Sequence, residues 1–204
     1  AVEKALLLFE KRLPSSDINK FPVTVSVIEN PERSLKTLLE LSNRDKINET
    51  FEKLSLDEKE FIKEYLNSNK KNLAEKYSLT LTPSRIEVVA AYYSKHIMDI
   101  ERVIKKIKSY YDEIKKIELL FYKNHDINIV MEEDAIDFII EQFENYSITN
   151  EDFYEKLSND FEHGLKLIQE KSGRNRFFIT KKALLDPGDF ISNLIRAELS
   201  MLND

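Results

Sequence analysis

Apolar residues recur at spacings of three and four along most of this chain, and period two shows only in short stretches. Val2, Ala5, Leu6, Phe9 and Leu13 share one helical face and stop at Pro14, which predicts a short first helix. In "FPVTVSVIENP", Val23, Val25 and Val27 alternate with Thr24 and Ser26 between Pro22 and Pro31, the pattern of a half-buried strand. Helical spacing returns from Pro31 to Tyr77, first through Leu35, Leu38, Leu39 and Leu41. Ser55, followed three residues later by Glu58, has the form of a capping box and predicts the start of a second helix there. Thr82 and Pro83 predict a further start, as N-cap and first helical residue.

From Pro83 to about Phe121 neither glycine nor proline intervenes, while Ile86, Val89, Tyr93, Ile97, Ile100, Ile104, Ile107, Tyr111, Ile114 and Phe121 keep one stripe. One continuous helix over this stretch would be about 55–60 Å long at 1.5 Å per residue. Its stripe is expected to form a seam with the preceding helices or with another chain. Next, Ile127, Ile129 and Met131 alternate with Asn128 and Val130 as in a short strand. A helix is predicted from Glu133 to Tyr146, and another from Asn150 to Lys171, closed by Gly173. "RFFIT" reads as a second short strand, followed by a terminal helix from about Gly188. The expected fold is mostly α with a small α+β part: a long helical segment, then strand, helix, helix, strand.

The chain holds three glycines, all in its last fifth, and one of them, Gly164, interrupts the amphipathic stretch "FEHGLKLIQEK". Glycine inside a helix costs about 1 kcal/mol relative to alanine. Its presence therefore points to a close approach on that face, by a packed helix or by a ligand.

Charge and composition narrow the function. Acids exceed bases, 37 against 31, for a net charge of -6, which argues against a general nucleic-acid binder. Cysteine is absent, which excludes a disulfide framework, a thiolate metal site and a cysteine nucleophile, and a cytoplasmic location is expected. No apolar run reaches about eighteen residues, so no membrane helix is expected, and "ALLLF" lacks the flanks of a signal peptide. The absence of an initiating methionine fits its removal and equally fits a piece of a longer protein.

His96, His125 and His163 lie far apart without an i+4 partner, so no histidine metal pair is expected. Glu132, Glu133, Asp134 and Asp137 are read as complementing the partial charge at a helix N-terminus. "IKKIKSYYDEIKKIE" mixes lysine and tyrosine, but the apolar residues hold the seam and the lysines fall on a solvated face. Lys171, Arg174, Arg176, Lys181 and Lys182 form a denser basic group, suited to phosphate or to an acidic neighbouring subunit.

The order of elements after Glu118, with "ELLFYKNHDINIVMEEDAIDFII", "FEHGLKLI" and "NRFFIT", resembles the C-terminal lid domain of ClpX-like AAA+ ATPases over about Leu119 to Pro187. The likeness implies three parts: 1–30 as a remnant of the AAA+ large domain, 31–118 as a helical insertion, and 119–204 as the lid. It implies coupling of ATP binding and hydrolysis, with magnesium, to the remodelling of protein substrates. Neighbouring subunits of a homo-oligomeric ring are the implied partners. The family's sensor 2 arginine precedes the lid glycine. The matching position here is His163, beside Gly164, with Lys166 one turn on as a possible point contact to phosphate. No GxxxxGK[ST] loop and no hydrophobic strand ending in Asp-Glu occurs in these residues, so the chain alone is expected to be inactive and to hold no nucleotide tightly. The alternative class is a helical scaffold or adaptor that binds proteins through the long seam.

Overall fold

The computed structural model describes residues 23–40, 44–96 and 98–201. The predicted helix from Val2 to Leu13 lies outside them, as does Ile97. The chain divides into two compact units between Ile62 and Lys63.

In the first unit the expected strand at Val23 to Val27 is a helix, α1 (Val25–Glu29), followed by α2 (Pro31–Glu40). Thr24 caps α1, its hydroxyl accepting from Val27 N–H at 3.4 Å. Only Val27 of the three valines is buried, whereas Val23 and Val25 are exposed, so the alternation marks no core face. Without a neighbouring strand the extended form would leave its backbone groups unpaired, and a single helical turn pairs them locally. The next helix, α3 (Arg44–Ser68), runs through the predicted start at Ser55. No breaker precedes Ser55, and a serine is tolerated inside a helix when the flanking residues propagate it.

The second unit continues with α4 (Lys70–Tyr77), α5 (Pro83–His96) and α6 (Ile100–His125). Thr82 caps α5 as expected, its hydroxyl accepting from Arg85 N–H at 3.1 Å. The single long helix expected from Pro83 to Phe121 is two helices. Asp99 caps α6, its carboxylate accepting from Glu101 N–H at 2.8 Å, and this supplies the stop that glycine or proline did not. The chain then turns back. Arg85 comes within 5.3 Å of the Tyr111 ring, although a continuous helix would separate those residues by about 39 Å. The stripe is therefore internal: Ile86, Val89, Ile104, Ile107, Ile114 and Phe121 are buried, while Tyr93, Ile100 and Tyr111 are half-buried.

From here the structure follows the sequence pattern with one added element: β1 (Asn128–Met131), α7 (Glu133–Tyr146), α8 (Asn150–Ser172), β2 (Arg176–Ile179), then a short α9 (Lys181–Leu185) that the sequence did not predict, and α10 (Pro187–Met201). The strands pair in parallel, Asn128 opposite Arg176 and Met131 opposite Ile179, with α7 and α8 as the crossover between them. Ile129, Met131, Phe177 and Ile179 point inward and are buried. Burying an isoleucine or phenylalanine fully is worth about 1.5–3 kcal/mol, so this short sheet is held by its packed face more than by its few ladder bonds. The fold is mostly α with a small α+β part. The compact division between Ile62 and Lys63 falls within α3, and α6, which contains position 118, packs against α5 as well as β1.

Candidate functional site

The residues implied by the lid resemblance lie on α8. Thr149 and Asp152 form a complete capping box at its start, and Gly173, with φ of 73°, ends it in the left-handed region. Phe153, Leu157, Phe161, Leu165 and Ile168 form its buried stripe. Gly164 sits beside that stripe where α10 crosses. A Cβ at this position would stand 2.6 Å from Cγ2 of Ile191, so the close approach made possible by the glycine is that of α10. His163 is exposed. Lys166 is half-buried and donates to Oε1 of Gln169 at 3.0 Å. The Gln169 amide in turn donates to the Asp126 carbonyl and to Oδ1 of Asn175, joining α8 to the residues flanking β1 and β2. Lys166 is thus part of a structural chain of hydrogen bonds, and His163 is the member of the group that faces solvent.

A second cluster centres on Arg85, which nothing in the sequence reading singled out. Its side chain is fully buried, with Nε 2.6 Å from Oδ1 of Asp137 and Nη1 2.8 Å from Oε2 of Glu133. Nη1 also reaches the Thr80 carbonyl at 3.4 Å. Asp137, expected to complement a helix dipole with Glu133 and Asp134, is instead the buried counter-ion that ties α7 to α5. Burial pushes its carboxyl above the usual aspartate value, against the pull of the Arg85 guanidinium in the other direction. Arg85 Nη2 and Asp137 Oδ2 have no hydrogen-bond partner among the described residues, and the Glu133 contact is a charge contact without hydrogen-bond alignment. An i, i+4 pattern within Glu133 to Asp137 hints at one face, but only the fold brings Arg85, in a different helix, onto it.

A third group surrounds His125 at the end of α6. Nδ1 is 3.1 Å from Oε1 of Glu162, and Nε2 is 3.1 Å from the Tyr154 hydroxyl and 3.4 Å from Oγ of Ser158. Tyr154, Ser158 and Glu162 recur every four residues on α8, so one helix face supplies all three. Acid, imidazole and hydroxyl stand in the order of a nucleophilic hydrolase. Ser158, however, lies in mid-helix, where the surrounding backbone N–H groups are engaged in the helix and none is left to stabilise an oxyanion. Tyr154 is also nearer to Nε2 and receives a further bond from Asn124 at 2.7 Å. The group joins the C-terminus of α6 to α8.

Three of the five lysines of "IKKIKSYYDEIKKIE" pair along α6 with neighbouring acids, Lys108 with Asp112, Lys115 with Glu118 and Lys116 with Glu113. Among the described residues no three histidine or acidic side chains converge in the manner of metal ligands, and no helix is long and apolar enough to cross a membrane. Comparison of the chain with protein-family models, with curated proteins and with solved structures finds no match.

Proposed function

We propose that the chain is the lid-bearing part of a ClpX-like AAA+ ATPase, and that it acts mechanically, passing nucleotide-dependent movement of a large domain to protein substrates. The observation that carries this reading is the placement of Gly164. It lets α10 lie directly on α8 while the adjacent His163 remains exposed at the surface of the β1–α7–α8–β2 unit. A unit with exposed side chains beside a close helix contact suits a part that moves as a body and touches a neighbouring domain. ATP, when bound by that domain, would supply the phosphate charge. Here a single imidazole faces outward, and it cannot form the bidentate grip of an arginine. The half-buried Lys166 is held by Gln169. These residues do not make a phosphate cradle, so the role assigned to this chain is transmission of movement and not hydrolysis.

The adaptor reading requires the α5–α6 stripe to be available to partners, and Ile86, Val89, Ile104, Ile107, Ile114 and Phe121 of that stripe are buried. The test is made on the intact gene product with magnesium-ATP. His163→Ala is expected to alter ATP turnover, while the 204-residue chain alone turns over none. Failure of the intact product to bind a fluorescent ATP analogue would overturn the proposal.

A further inference from the structure

β1 and β2 make a two-stranded sheet, so each has an edge that the other strand does not cover. Asn128 N–H donates to the Asn175 carbonyl and Glu132 N–H to the Ile179 carbonyl, with Val130 opposite Phe178 in the register. In a parallel ladder of this register Phe177 and Ile179 direct their backbone groups toward β1, while Arg176 and Phe178 direct theirs away. The two outer edges differ. On β1, Met131 N–H donates to Oε1 of Glu118 at 2.7 Å, Ile129 is buried, and α6 packs against the strand. On β2, the Arg176 carbonyl accepts from Nε of Arg174 at 3.1 Å, but neither N–H nor C=O of Phe178 has a partner among the described residues.

The side chains along this open edge are a cation and an aromatic ring. Arg176 and Phe178 both face solvent, with the guanidinium 5.2 Å from the ring and Phe178 44 % exposed. Between positions 171 and 182 stand Lys171, Arg174, Arg176, Lys181 and Lys182 and no acid, within a chain of net charge -6. Arg174 is engaged by Glu198, and Lys182 lies 3.9 Å from Asp189. Lys171 and Arg176 have no carboxylate partner among the described residues.

We propose that the outer edge of β2 is a docking site for an acidic, extended segment of a partner protein. The segment adds as a third strand beside Phe178, accepting from its N–H and donating to its C=O. One apolar side chain covers the Phe178 ring, and its carboxylates meet Arg176 and the neighbouring cations. An extended peptide satisfies a free donor and a free acceptor together. A phosphodiester backbone offers acceptors only, so the peptide is the better fit. This inference stands on the sheet edge and its charge, independently of the lid reading.

The test uses a fluorescein-labelled peptide in which glutamate and valine take turns at every second position with serine between them, so that both lie on one face of the added strand; it is titrated against the 204-residue chain and followed by anisotropy. Binding is expected to weaken at least about tenfold in Arg176→Glu and in Phe178→Ser. It should also be abolished when alternate amides of the peptide, those facing the edge, are N-methylated at unchanged charge. In the wild-type chain, hydrogen exchange at the Phe178 amide should slow on binding, a readout that needs no variant. Four results would each overturn the proposal: no binding up to about 1 mM peptide, equal binding of the N-methylated peptide, unchanged exchange at Phe178, or tighter binding of a single-stranded oligonucleotide with the same dependence on Arg176.

Discussion

Replacing Arg85 with methionine keeps a long unbranched side chain in α5 and removes its charge. In the folded chain this strands Asp137, whose side chain is 4 % exposed. Unit charges about 4 Å apart attract by about 4 kcal/mol at an effective dielectric of about 20, and removing one partner of a buried pair costs about 3–5 kcal/mol. Glu133, whose side chain is 46 % exposed, adds little, about 0–1 kcal/mol. Arg85→Met is therefore expected to cost about 3–5 kcal/mol, and Asp137→Leu a similar amount because it strands a guanidinium whose Nη2 already lacks a partner. The double variant removes both charges and should recover most of the loss, since well-packed apolar replacements of buried pairs are often neutral. Urea unfolding followed by far-UV circular dichroism measures each free energy, and the cycle should show a coupling of about 2 kcal/mol or more. A single-variant cost below about 1 kcal/mol, or a double variant as unstable as the sum of the singles, would refute the assignment of a coupled buried pair. The pH dependence has a definite sign. Because the folded carboxyl of Asp137 lies above its ordinary value, the contribution of its titration is complete below that ordinary value and is lost as pH rises through the raised one. Asp137→Leu should remove this component of the stability profile.

Gly164→Ala gains about 1 kcal/mol of helix propensity but overpacks against Ile191 at a cost of about 1–3 kcal/mol. It should lower or at best hold the melting temperature, with recovery in Gly164→Ala/Ile191→Ala; a clear rise in the single variant would show that the α8–α10 contact yields. Ile107→Asp places a charge at a fully buried position and should cost several kcal/mol in urea titrations. Ile100→Asp, at a half-buried position, should cost far less, and equal costs would refute the inward orientation of the α6 stripe. The hydroxyl and backbone N–H of Thr149 hold the Asp152 carboxyl below its usual value. The capping box thus contributes above that usual value and is lost as pH falls through the lowered one. Asp152→Asn should flatten this acid limb in thermal melts, and an unchanged limb would assign it to other carboxylates.

The sequence alone determined the elements whose signals are local. Thr82 before Pro83 placed the start of α5, and the inward alternation of Ile129 and Met131 placed β1. The stretch from Glu133 to Tyr146, and the one from Asn150 to its stop at Gly173, defined α7 and α8 to within a residue or two. In each case the residues that pair the backbone or bury a face are neighbours in the chain. The tertiary structure decided the rest. A period of two at Val23 to Val27 is compatible with a strand only if a partner strand exists, and the chain there forms a helical turn instead. The stripe from Ile86 to Phe121 reads the same for one helix or two. The stop at Asp99 is a single side-chain cap, and what favours the turn is burial of the stripe between α5 and α6, which no local signal reports. Of the candidate site, Gly164 was legible as a point of close approach, but that the approaching group is Ile191 of α10 depended on packing between residues more than twenty positions apart in sequence. Arg85 was invisible for the same reason. A lone arginine in a helix is ordinarily solvated, and only the juxtaposition of α5 and α7 sets it against Asp137. The open edge of β2 likewise follows from which strand pairs with which, since a four-residue strand carries no mark in its sequence of the side that its partner leaves uncovered.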